Sequence, residues 1–188
     1  MGQGNFTIFK KMSEEIIEGK LFEHINYTKA RLTEAIYDNC IFEDCNFAGA
    51  DLSGCRFMEC QFRNCELSLA MAGGTVINDV SFSNCKLLGL KFSDCSTLLF
   101  SATFNSCNLN LSSFSGMKLK GVSFTDSSLH EVDFADSDLG GIVFERCDLD
   151  RAILDNTNLE KADFRTASNY SLDPDRNRIR KARFSLPG

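Results

Sequence analysis

Along this chain a large apolar residue recurs at every fifth position, and a small residue stands two places before it. Written as IFEDC NFAGA DLSGC RFMEC QFRNC ELSLA, one stretch puts Phe or Leu at 42, 47, 52, 57, 62 and 67. The frame extends backward through Tyr37, Leu32, Tyr27 and Phe22. Forward it passes Phe82, Leu87 and Phe92, slips by two residues within SDCSTLLFSATF, and resumes at Phe104 to run to Phe164. Ala72 and Ile77, in LAMAGGTVINDV, are its weakest members.

This spacing fits neither the ~3.6-residue period of a helix nor the 2-residue period of a flat strand. It fits a coil that turns a corner once per repeat. The centre residue and the small residue two before it then face inward, and the other three face outward. If four repeats close one coil, every twentieth residue stacks in a column. Phe22, Phe42, Phe62, Phe82, Phe104, Phe124, Phe144 and Phe164 form one such column, broken only by the slip. The second face reads Tyr27, Phe47, Leu67, Leu87, Leu109, Leu129 and Leu149. The third reads Leu32, Leu52, Ala72, Phe92, Phe114, Phe134 and Leu154, and the fourth Tyr37, Phe57, Ile77, Leu99, Leu119, Leu139 and Leu159. Coils stacked at the ~4.8 Å strand spacing predict an all-β rod of about seven coils, roughly 35 Å long.

AGADLSGCRF and VDFADSDLGG resemble the A(D/N)Lxx motif of the pentapeptide-repeat family. The resemblance implies a right-handed quadrilateral parallel β-helix. The expected organisation is an N-terminal cap over 1–20, the β-helix over 21–166 and a C-terminal cap or tail over 167–188. Solenoids expose core at both ends and need such caps. Phe6, Ile8, Phe9, Ile16 and Ile17 would supply the first, with a short helix through SEEIIEG. Ile179, Phe184 and Leu186 would supply the second.

Nine cysteines in 188 residues raise disulfides or a metal site as alternatives. Every one sits two residues before a centre, counting Cys95 in the frame before the slip. That slot needs a small apolar side chain, which a free thiol provides, and reduced thiols suit a cytoplasmic location. No run approaches the ~18 apolar residues of a membrane span, and MGQGNFTIFKKMSEEIIEGK lacks a signal-peptide core.

Nothing in the sequence assembles an enzyme. His24 and His130 fall on outward positions of distant coils, and CxxC, HExxH, GxSxG and P-loop motifs are absent. The glycine pairs at 73–74 and 140–141 lie at corners, and a rod filled with Phe and Leu leaves no concave pocket. No cofactor or metal is expected, and the function is binding at the outer surface.

Charge then selects a candidate surface. The net charge of -6 disfavours direct contact with nucleic acid or an anionic membrane. Residues 122–164 carry eleven acidic residues against Arg146, Arg151 and Lys161, whereas 1–41 and 42–121 are nearly neutral. Glu131, Asp148 and Asp150 map to the second face, and Asp133, Asp136 and Asp155 to the third. Together they flank one edge, as a solubility surface or as a cation-seeking interface. The tail after Phe164 carries six basic residues against Asp173 and Asp175.

FEDCNFAGADLSGCRFMECQF resembles the quinolone-resistance members of the family, and SNYSLDPDRNRIRKARFSLPG the tail of the microcin-immunity type. Mycobacterial gyrase-binding members are also similar. The resemblance implies an acidic DNA mimic that binds DNA gyrase or topoisomerase IV and protects against quinolone-type inhibitors, as a monomer or as a homodimer through the C-terminal end. The alternative is a structural or scaffolding module with another protein partner.

Overall fold

The computed structural model describes residues 15–185 apart from Ala30; Phe6, Ile8, Phe9 and Leu186 of the expected caps lie outside the described residues. Short strands come in pairs, one pair per coil: β1 (Ile16–Glu18) and β2 (Leu21–Glu23), β3 (Ile36–Asp38) and β4 (Ile41–Glu43), β5 (Arg56–Met58) and β6 (Gln61–Arg63), β7 (Val76–Asn78) and β8 (Val80–Ser83). Beyond them lie β9 (Ala102–Asn105), β10 (Ser123–Thr125) and β11 (Phe144–Glu145). All pairing is parallel. One sheet runs β1-β3-β5-β7, and a second of seven strands runs β2-β4-β6-β8-β9-β10-β11, one strand per coil on the phenylalanine face. Its register sets Phe22, Phe42, Phe62, Phe82, Phe104, Phe124 and Phe144 opposite one another. Single bridges such as Asn46↔Glu66 and Asp133↔Ile153 carry the ladder over the second and third faces. The chain is thus the quadrilateral parallel β-helix that the twenty-residue columns predict.

Most repeats make their corner with the residue two past the centre in the left-handed region. Asp44, Asn64, Asn84, Asp126, Glu131, Asp136 and Arg151 have φ between 50° and 59° there. Asn and Asp tolerate this conformation best among non-glycine residues. At Gly89 (φ +66) crowding adds to the conformational demand, because a Cβ would sit 2.7 Å from Leu69 Cδ2.

At some corners a turn bond forms, as from Ala50 N–H to Phe47 O at 2.8 Å. The N–H one past the centre then leaves the ladder, and a side chain one before the centre accepts it. Asn46 Oδ1 takes Ala48 N–H at 2.9 Å, and Asp51 Oδ1 takes Ser53 N–H at 3.0 Å. An Asp or Asn at this position therefore satisfies a backbone donor that would otherwise go unpaired.

Inside, the phenylalanine rings stack at centroid separations of 4.8 Å (Phe42–Phe62) to 5.8 Å (Phe124–Phe144) and meet neighbouring columns edge-on. All nine cysteines are buried and free. Seven of the thiols donate to carbonyls one coil away, as Cys60 Sγ to Tyr37 O at 3.2 Å and Cys65 Sγ to Phe42 O at 3.3 Å. Thr75 and Thr157 use the same slot, each giving its hydroxyl to a carbonyl 23 residues earlier, at 2.8 and 3.0 Å. The slot thus accepts a small side chain with a donor at its tip.

Three readings are corrected. SEEIIEG contributes strand β1, not a helix: Ile17 is a further centre, twenty residues before Tyr37, and its neighbour Ile16 faces outward. At the slip Leu99 is not a core centre, being 66% exposed with φ 62; Phe100 is buried and meets Phe92 edge-on at 6.1 Å. The tail, finally, continues the coil in register. Arg178 bridges Asn158, Arg183 bridges Asp163, and Phe184 stacks on Phe164 at 5.5 Å.

Candidate functional site

Glu131, Asp133 and Asp150 flank the corner between the second and third faces; Asp148 stands at the far side of the second face, and Asp136 and Asp155 lie toward the corner between the third and fourth. They are not equivalent. Asp133 and Asp148 stand one before a centre. Asp133 Oδ1 accepts the N–H of Ala135 at 2.9 Å, and Asp148 Oδ1 that of Asp150 at 3.2 Å. Both therefore close backbone corners, as Asp138 does for Gly140 and Asp163 for Arg165. Glu131, Asp136, Asp150 and Asp155 occupy positions after a centre and carry no such backbone duty.

The coil spacing places basic and amide groups directly above several of these carboxylates. Arg151 lies 3.5 Å from Glu131 and 3.8 Å from Asp150. Asn156 donates to Asp136. Arg176, from the tail, reaches Asp155 at 2.6 Å. Asp148 is held by Asn169 at 2.8 Å and by His130 Nε2 at 2.7 Å, and these contacts keep its carboxyl below the usual carboxylate range.

The same pairing recurs on the other faces. Arg146 clamps Asp126 with two bonds, at 2.6 and 2.8 Å, and also contacts Glu145. Asp163, nearly buried, sits between Arg165 at 2.8 Å and Arg183 at 3.4 Å, and the Arg165 guanidinium above all pulls its pKa down to about 2. The basic tail thus lies along the acidic coils, which the sequence separates into an acidic block and a basic one.

Chemically, the surface offers three carboxylates on each of two successive coils, Glu131, Asp133 and Asp136 on one and Asp148, Asp150 and Asp155 on the next, which can engage cations. His24 faces Asp44 at 3.8 Å, five coils from His130, and the two histidines stay apart. An open groove of about 490 Å³ is lined by Lys118, Asp136, Asp138, Asn156, Arg176 and Arg178 among others. Among the described residues no cluster of three or more His, Cys, Asp or Glu could hold a metal ion, and no helix is long and apolar enough to cross a membrane.

Comparison with known proteins gives this geometry a family. A family model described as a pentapeptide repeat region matches residues 55–134 and 95–164, and one for pentapeptide repeats (8 copies) matches 28–64. No curated protein matches the sequence at a significant level. Among solved structures, HetL, a pentapeptide repeat protein involved in heterocyst differentiation regulation from the cyanobacterium Nostoc, aligns with a TM-score of 0.53 at 18% identity. That alignment covers 92% of this chain and 87% of HetL. QnrB1, a plasmid-mediated fluoroquinolone resistance protein, aligns with a TM-score of 0.45 at 16% identity over 90% of this chain and 93% of QnrB1. A pentapeptide repeat protein of the Arabidopsis thaliana thylakoid lumen gives 0.40 at 20% identity over 63% and 68%.

Proposed function

The chain belongs to the pentapeptide-repeat family, and on that premise we propose that it is a non-enzymatic binding protein whose acidic corner acts as a duplex-like surface for a cation-lined protein groove. The partner is a type II topoisomerase, DNA gyrase or topoisomerase IV, in the cytoplasm. One observation carries the reading: Glu131, Asp136, Asp150 and Asp155 face outward on adjoining faces of two successive coils, and none of their side chains accepts a corner N–H. Duplex DNA presents one negative charge per ~1.7 Å of axis, and two or three carboxylates per ~4.8 Å coil approach that density on one side. Occupying the enzyme's DNA groove would also underlie protection against quinolone-type inhibitors.

A second reading, a scaffold for another partner, is favoured by the pairing of Glu131, Asp150 and Asp155 with Arg151 and Arg176, which lowers the charge a groove would meet. Gyrase supercoiling and topoisomerase IV decatenation, with and without the protein at low salt, separate the two. The first reading expects inhibition by the wild type. It also expects loss of inhibition when Glu131, Asp136, Asp150 and Asp155 are all changed to Lys in a variant with unchanged circular dichroism. Wild-type protein that touches neither enzyme, or a reversed variant that inhibits equally, leaves the scaffold reading.

A further inference from the structure

The coil that gathers carboxylates at one corner gathers cations at the diagonally opposite one. Around the square the faces follow one another in chain order, so the corner between the fourth and phenylalanine faces lies across the rod from the corner between the second and third. Its outward positions over 120–123, 140–143, 160–163 and 180–183 hold five Lys and Arg against Glu160 and Asp163. The acidic corner, over 130–133, 150–153 and 170–173, holds Glu131, Asp133, Asp150 and Asp173 against Arg151. The tail sharpens this polarity, since its in-register coil sets Arg180, Lys181 and Arg183 on the basic side.

Most of these cations are uncommitted. Arg180 pairs with Glu160 at 3.5 Å and Arg183 with Asp163 at 3.4 Å. Lys120, Lys161 and Lys181 are exposed and have no ion-pair partner among the described residues. We infer that the C-terminal coils associate side by side, the basic corner of one copy docking on the acidic corner of a second copy of this chain. The complementary surface is present on the same molecule at equal concentration, whereas the net charge of -6 opposes approach to a polyanion such as nucleic acid.

Each copy offers one corner of each sign, so the contact is heterologous and builds open rows, not closed dimers. It spans about three coils, roughly 15 Å at ~4.8 Å per coil. So short a contact makes a weak, salt-sensitive association.

Sedimentation velocity over a concentration series tests this with the full chain, at about 20 mM and about 500 mM salt, where the Debye length falls from ~20 Å to a few Å. The expected result at low salt is a weight-average mass that keeps rising past the dimer, and monomer at high salt. A basic-corner variant (Lys120→Glu, Lys161→Glu, Lys181→Glu) and an acidic-corner variant (Glu131→Lys, Asp150→Lys) should each associate at least tenfold more weakly alone. Mixed in equal amounts, they should associate again. Wild type that stays monomeric at low salt, variants that associate like wild type, or a mixture that stays monomeric would each overturn the proposal. So would duplex DNA binding at the basic corner, lost in the Lys→Glu variant, in protein that shows no self-association. No topoisomerase is present, so failure here and failure of the proposed function are separate results.

Discussion

Removing one ring from the middle of the phenylalanine column tests the coil geometry most directly. Phe124 is 0% exposed; it stacks between Phe104 at 5.1 Å and Phe144 at 5.8 Å, and meets Phe114 and Phe134 edge-on at 5.7 and 6.0 Å. Phe→Ala in a closely packed core costs about 3–5 kcal/mol, the larger values where the site cannot collapse. Here parallel ladders above and below hold the coils ~4.8 Å apart, so the void persists. Each lost aromatic pair adds ~0.5–1.5 kcal/mol that is only partly additive. Phe124→Ala should therefore lie near the top of that range, at about 4–5 kcal/mol. Phe184 occupies the same column on the last described coil, 37% exposed, with ring neighbours among the described residues only at Phe164 and Tyr170. Its truncation should cost about 1–2 kcal/mol and fray the last coil. Urea unfolding followed by circular dichroism reads both, with the slope checked because repeat arrays can unfold in parts. A loss below about 1 kcal/mol for Phe124→Ala, or equal losses at the two sites, would refute the column.

Two further outcomes follow from the same coil. Asp133→Ala should destabilise by about 1–2 kcal/mol by orphaning the Ala135 N–H, Asp133→Asn should be close to neutral, and Asp136→Ala should stay within about 0.5 kcal/mol; equal effects of alanine at 133 and 136 in thermal or urea melts would remove the distinction between corner-closing and free carboxylates. The nine thiols should resist alkylation in the folded protein and all react in denaturant, and two or more missing in protein kept from air would contradict the packing. Burial pushes the Cys60 and Cys95 thiols up to about 12. Because these folded values lie above the ~8.5 of a free thiol, the folded state gains nothing from ionisation below that pH. Stability should fall as pH rises from about 9 toward 12, and a flat alkaline profile would count against burial.

How much of this was legible in the sequence depended on which way a residue faces. Inward positions were readable because a coil admits only one large and one small apolar residue per repeat, and twenty-residue columns must match along the whole rod. The slip escaped because TLLF offers three apolar residues for one vacancy. The chain resolves it by turning Leu99 into the left-handed corner and folding Phe100 inward, a choice of backbone that no side-chain pattern records. The tail escaped because SLDPDRN interrupts the five-residue frame, although Ile179 stands twenty residues after Leu159 and Phe184 twenty after Phe164. Glu14 and Glu15 beside Ile16 and Ile17 suggested a helix, although Ile17 stands twenty before Tyr37.

Outward positions obey a weaker rule, and net charge along the chain misjudges them for a physical reason. A β-helix converts a sequence separation of twenty into direct contact, so a block's charge is set by the residues one coil away as much as by those within it. Arg176 and Arg183 are remote in sequence from most of the acidic block, yet they lie against Asp155 and Asp163. The position of a carboxylate within its repeat separates the roles better than its count. One before the centre, as at Asp133 and Asp148, it closes a backbone corner and belongs to the fold; one or two past the centre, as at Glu131, Asp136, Asp150 and Asp155, it meets only other side chains. Lys120, Lys161 and Lys181 likewise have no ion pair among the described residues, so the opposite polarity of the two diagonal corners arises from outward residues that the fold does not constrain.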